Sequence, residues 1–187
     1  MKRGGKDVHS DNPAEEMNYH GIITDGAAPE RGKNYGYPDC FSAWDPSTLG
    51  SGVKVGQQVA LDGTPSNGAV TDAQCAQRSQ ARLVFPSHTA PLDIKFKKDG
   101  SAAYISFHGS WDRPTPDGFR LSRVEFKNGQ PIAPQDSKTA AVNVMWNQQT
   151  TSCPNRCFRP VGLAFDSKDR LFMTSDSTGE VYVITGV

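Results

Sequence analysis

Two stretches of the chain share their punctuation, and that match restricts the fold more than any other feature. Residues 90–110 read APLDIKFKKDGSAAYISFHGS, and residues 159–179 read RPVGLAFDSKDRLFMTSDSTG. Each runs through proline, four residues and phenylalanine, then a turn containing aspartate, then an apolar run led by an aromatic residue and ending in polar groups. A further strand-like run follows each, FRLSRVEF after the first and EVYVI after the second. Such a unit is an antiparallel meander, and a meander recurring along a chain points to β-propeller blades. The distance from Pro91 to Pro160 is long for one blade, so an insertion is expected, placed at NQQTTSCPNRCF (147–158).

The remainder of the sequence fits an all-β, turn-rich chain. Residues 1–81 are dominated by Gly, Pro, Asn, Asp and Ser and read as loop-rich, with VKVGQQVAL (53–61) as a short strand and 62–80 as loop. Residues 82–187 carry the two blade repeats. A length of 187 residues suits one domain. The 20 basic residues balance the 20 acidic ones, so no net field draws the chain to nucleic acid. No apolar run approaches the roughly 20 residues of a membrane span. The start, MKRGGKDVHS, lacks the apolar stretch of a secretory signal.

The cysteines at 40, 75, 153 and 157 are even in number. Cys153 with Cys157 can close a small disulfide loop and Cys40 with Cys75 a longer one, which would place the protein in an oxidising compartment. A zinc site is the competing reading, although the spacing is not CxxC and no HxxxH partner exists.

Blade geometry also predicts where chemistry collects. Residues just before a blade's first strand and just after its second share one face. In the first repeat these are His88, and then His108, Trp111 and Arg113; in the second they are Arg159, and then Ser175 and Asp176. The expectation is that these groups converge near an axis, against the plainer reading of each as a turn residue or solvated charge.

The segments NYGYPDCFSAWD, HTAPLDIKF, FHGSWDRPTPDGFRLSRVEF and CPNRCFRPVGLAFDSKDRLFMTSDSTGEVYVI resemble, in order, the C-terminal half of fungal quinoprotein sugar dehydrogenases. These are the pyrroloquinoline quinone (PQQ)-dependent pyranose dehydrogenases, often labelled L-sorbosone dehydrogenases. NYGYP and the arginine before the last inner strand are similar, more distantly, to bacterial soluble quinoprotein glucose dehydrogenase. The resemblance implies about half of a six-bladed propeller built from four-stranded antiparallel blades, with 1–187 as the C-terminal portion of the domain. It also implies PQQ and calcium as cofactors, a sugar substrate, an electron acceptor such as a cytochrome, and an extracellular parent protein. The cofactor's three carboxylates need cations, and Arg159 is the first candidate, with His88, His108, Trp111 and Arg113 around it.

The family's base histidine and metal loop belong upstream of the matching region, so no catalytic base and no calcium ligand is assigned to this chain. His9 and His20 are given neither role, and Asp11 and Glu15 read as solvated turn residues against the alternative of remnants near the metal loop. The sequence therefore reads as a truncated oxidoreductase, with a non-catalytic secreted ligand- or carbohydrate-binding propeller as the alternative. A lactonase-type hydrolase is disfavoured because its metal site needs several inward carboxylates.

Overall fold

The computed structural model describes residues 1–22, 24–65 and 69–187, so part of the 62–80 segment, residues 66–68, lies outside the described residues. The chain divides into two compact units: Met1–Ser87 with Pro134–Ser137, and His88–Ala133 with Lys138–Val187.

The first unit is built from short pieces: β1 (Lys2–Arg3), β2 (Lys6–Asp7), β3 (Glu15–Met17), β4 (Cys40–Ser42), β5 (Gln58–Ala60), helix α1 (Asp72–Cys75) and β6 (Leu83–Phe85). They form three two-stranded antiparallel pairs, β1 with β2, β3 with β6 and β4 with β5. Elements this short do not hold themselves, and polar side chains and a crosslink tie them together. The Arg3 guanidinium donates to the carbonyls of Leu49 and Ala60 and to both oxygens of Asp72. Buried Asn12 donates to the Asp45 carbonyl and accepts from the Trp44 amide. Cys40 and Cys75 are joined, 35 residues apart; a closed loop of that length stabilises by roughly 3–4 kcal/mol on the chain-entropy account. The helix falls in a segment that the sequence reads as loop. Its single turn is nucleated by a capping box between Thr71 and Gln74 and anchored by Cys75.

The second unit holds the repeats. The first consists of β7 (Pro91–Phe96), β8 (Ala102–Phe107), β9 (Arg120–Lys127), β10 (Gln130–Pro131) and β11 (Val142–Trp146). The order is β7-β8-β9, with β10 and β11 pairing with opposite ends of β9, so the fourth strand of this blade is split in two. The second repeat is β12 (Pro160–Phe165), β13 (Leu171–Ser175) and β14 (Val181–Ile184), in sequential order. The long repeat period is thus shared between the break in the fourth strand and residues 147–158.

The two sheets are antiparallel meanders packed on one another as successive propeller blades. Ala102, Tyr104 and Leu121 of the first meet Leu163, Leu171 and Met173 of the second in one buried cluster. Period-two alternation puts these residues on the facing sides. Burying each large side chain contributes on the order of 1.5–3 kcal/mol. β8 is buried along its whole length, while β7 is inverted: Leu92, Ile94 and Phe96 are exposed and Asp93 faces β12, accepting from the Leu163 amide at 2.8 Å.

Candidate functional site

The loops leaving the strand ends of the second unit bring charged groups from both repeats together. Asp176, just beyond β13, is the hub. Its Oδ1 accepts from Arg159 Nε at 2.9 Å and its Oδ2 from Arg159 Nη2 at 2.9 Å, while His108 Nε2 lies 3.0 Å from Oδ2. The guanidinium fork matches both carboxylate oxygens, which is the strongest geometry such a pair has. Arg159 beside it, and His108 after that, hold the Asp176 carboxyl down from 3.8 to about 2. It is therefore an anion at neutral pH, held by the guanidinium on one side and the imidazole on the other. His108 and Arg159 come from different repeats, and the structure joins them through one carboxylate.

Local backbone explains the placement. Arg159 directly precedes β12, where its amide donates to Ser175 Oγ. His108 directly follows β8, its amide donating to the Ala90 carbonyl. His88 and Ala90 both take positive φ, 59° and 49°, so the entry into β7 turns sharply. His88 Nδ1 stands 3.4 Å from Asp112 Oδ2, linking that entry to the loop after β8. On the same loop Trp111 is 89% exposed, an indole standing in solvent. Arg113 lies 3.6 Å from Asp117, which also receives Arg120 at 2.7 Å. Arg113 thus folds back within its own loop, whereas Arg159 and His108 meet at Asp176.

The loop that carries Trp111 has a closed neck. Ser110 donates its amide to the Asp117 carbonyl and accepts the Asp117 amide on its hydroxyl. A Cβ on Gly109 would fall 2.4 Å from the Phe119 ring, and one on Gly118 would fall 2.7 Å from Gly109 Cα, so only glycine allows this approach. Both disulfides expected from the cysteine spacing are formed and no cysteine is left for a zinc site. Cys153 and Cys157 pack with Phe119 in a small apolar cluster separate from the main core.

One residue of this region, Asn147, carries no sequence signal, since it is a lone asparagine in the expected insertion. Its carboxamide nitrogen donates to the carbonyls of Phe119 and Phe158, both at 2.9 Å.

Comparison with known proteins gives this geometry a context. The family model described as TrAA12-like matches residues 1–187. The chain is 48% identical over 190 residues to a pyrroloquinoline quinone-dependent sugar dehydrogenase of Hypocrea jecorina, covering 98% of this chain and 41% of that protein. It is 36% identical over 195 residues to a pyrroloquinoline quinone-dependent pyranose dehydrogenase of Coprinopsis cinerea, covering 26% of that protein. Among solved structures, a calcium structure of a Trichoderma reesei carbohydrate-active enzyme of family AA12 superposes with a TM-score of 0.92 at 49% identity, covering 98% of this chain and 45% of that one. The holo form of the Coprinopsis cinerea pyranose dehydrogenase PQQ domain gives 0.82 at 33% identity, covering 95% and 45%. The chain therefore spans less than half the length of these relatives.

Proposed function

Because the chain belongs to the TrAA12-like family, we propose that it contributes to a PQQ-dependent oxidoreductase of sugar hydroxyl groups, with Arg159, His108, His88, Trp111 and Arg113 at its cofactor site. The observation that carries this reading is the Arg159–Asp176–His108 cluster, with an exposed indole on the loop that His108 opens. When bound, PQQ would supply a quinone able to take up a hydride from a hydroxyl-bearing carbon.

The donor set suits an anionic planar ring. Arg159 spends Nε and Nη2 on Asp176 and keeps Nη1 without a protein partner among the described residues. Asp176 fixes the plane of the guanidinium, so Nη1 is aimed before any ligand arrives. His108 adds a second donor on the same carboxylate, and Trp111 offers a flat face for stacking. His88 holds the loop through Asp112, and Arg113 holds it through Asp117.

The same residues do not make a calcium site. Asp176 is spanned by Arg159 and His108, and Asp117 by Arg120 and Arg113. We assign no calcium ligand and no catalytic base to this chain, and no step is derived through the ion. The electron acceptor, a cytochrome in this proposal, and an extracellular location are supported by the family resemblance; the two disulfides fit an oxidising compartment.

The test is sugar-dependent reduction of an acceptor dye by the protein supplied with PQQ and calcium. Reduction that requires both PQQ and a pyranose, and that falls sharply in Arg159→Ala, supports the proposal. PQQ binding with no dye reduction by any sugar, in a chain joined to the upstream half that its relatives carry, would place it with binding propellers instead.

A further inference from the structure

The Arg159–Asp176 pair is supported from behind by hydrogen bonds that have no part in the sheet ladders. Asn147 Nδ2 bridges two backbone carbonyls, that of Phe119 at the end of the Trp111 loop and that of Phe158, the neighbour of Arg159. The Asn147 amide also donates to the Phe119 carbonyl, at 3.2 Å. On the other side Ser177, the neighbour of Asp176, donates its hydroxyl to the Cys157 carbonyl at 2.7 Å. Between these contacts lies Phe119, 1% exposed, at φ 51°, with the Cys153–Cys157 crosslink against it and the Gly109 backbone on its ring.

We propose that Asn147 is a positioning residue for the cofactor site, one that couples the Trp111 loop of the first repeat to the Arg159 entry strand of the second; the idea rests on the functional reading above. The physical reason lies in the donor count. A carboxamide nitrogen has two hydrogens, and here each reaches a different carbonyl, so one side chain sets the spacing of two chain segments. The Phe119 segment carries the neck of the indole loop, and the Phe158 segment delivers the guanidinium. The support meets the main core only at Phe158, whose side chain packs against the buried cluster that holds the two sheets together, while Asn147, Phe119, Cys153 and Cys157 are not among that cluster's residues. Loosening it should therefore disturb the site more than the fold.

Asn147→Asp keeps the shape but replaces both donors by acceptors facing carbonyls, and Asn147→Ala removes them. Asn143→Ala, on the strand that leads into Asn147, serves as the control, because among the described residues its side chain is seen only to accept from the Ser122 hydroxyl. Three readouts on the full chain separate the outcomes: the unfolding midpoint, solvent protection of the Arg159 Nε–H resonance, and affinity for PQQ by calorimetry. The expected result is that both Asn147 variants lose Arg159 Nε–H protection and bind PQQ about tenfold more weakly, while Asn143→Ala changes neither. A lowered unfolding midpoint with Arg159 protection intact would overturn the positioning role and leave Asn147 a structural tie. Because the protection readout needs no cofactor, a wild-type chain that fails to bind PQQ would defeat the functional proposal while the Asn147 test still stands.

Discussion

The two repeats of the second unit share a scaffold and differ in chemistry. Both first strands break register at the same place, β7 between Pro91 and Asp93 and β12 between Pro160 and Leu163. In both, a second-strand hydroxyl takes up a first-strand amide at the irregularity: Ser106 accepts from Asp93 in the first repeat, and Thr174 accepts from Gly162 in the second. The functional side chains do not repeat. In register, Arg159 stands where the first repeat has Ala90 and Asp176 stands where it has His108, the His108 amide donating to the Ala90 carbonyl as the Asp176 amide does to that of Arg159. The exits differ as well. β8 leads into a necked loop bearing Trp111, whereas after β13 the Ser175 amide returns directly to the Glu180 carbonyl. Backbone irregularity is thus inherited by the repeat, while the charged cluster exists only because two unlike exits are brought side by side.

The largest expected effect tests the shared scaffold. Leu171→Ala should destabilise the chain by about 2–5 kcal/mol in a denaturant titration, since a fully buried side chain would leave a cavity between the sheets. Tyr104 sharpens the point. Its ring is buried in the same cluster, and its hydroxyl has no hydrogen-bond partner among the described residues. Tyr104→Phe should therefore be neutral or stabilising, because it removes an unpaired buried hydroxyl.

The bulge hydroxyls break the symmetry more gently. Ser106 serves the Asp93 amide and also donates to the Val161 carbonyl of the other sheet at 2.6 Å. Ser106→Ala should cost about 1–3 kcal/mol by leaving buried groups unsatisfied. Ser175→Ala should cost less in unfolding measurements but should shift the Arg159 amide resonance, because Ser175 receives that amide.

The smallest effect is the pH response of Asp176. Its folded carboxyl is lowered from 3.8 to about 2, so its contribution is complete above about pH 4 and is lost as the pH falls toward 2. The carboxylate is 45% exposed, so screening keeps the effect small. The stability difference between wild type and Asp176→Asn should shrink across that window and stay level above it; a difference that persists unchanged at pH 2 would remove the carboxylate's role.

Legibility in the sequence followed the same division. The strand pattern was readable because proline, phenylalanine and an aspartate turn mark each meander at fixed offsets, and the shared face followed from blade geometry. The meeting of His108 and Arg159 was readable only as proximity. That Asp176 joins them depends on how far the sheets are rotated on one another, which no local pattern encodes. The inversion of β7 was not readable, since LDIKF alternates equally well with either face inward, and Asp93 faces β12 because it serves the Leu163 amide. The turn of helix at 72–75 was missed because a four-residue helix held by a cap and a disulfide has no periodicity to detect.

The central claim is that Arg159 and His108, aligned by Asp176, form the anion-binding part of a quinone site. Calorimetric titration of the full chain with PQQ tests it most directly, comparing wild type with Arg159→Met and His108→Leu. Saturable binding by the wild type, weakened roughly tenfold to a hundredfold by Arg159→Met and less by His108→Leu, is the expected result. Equal affinity in all three proteins would contradict it.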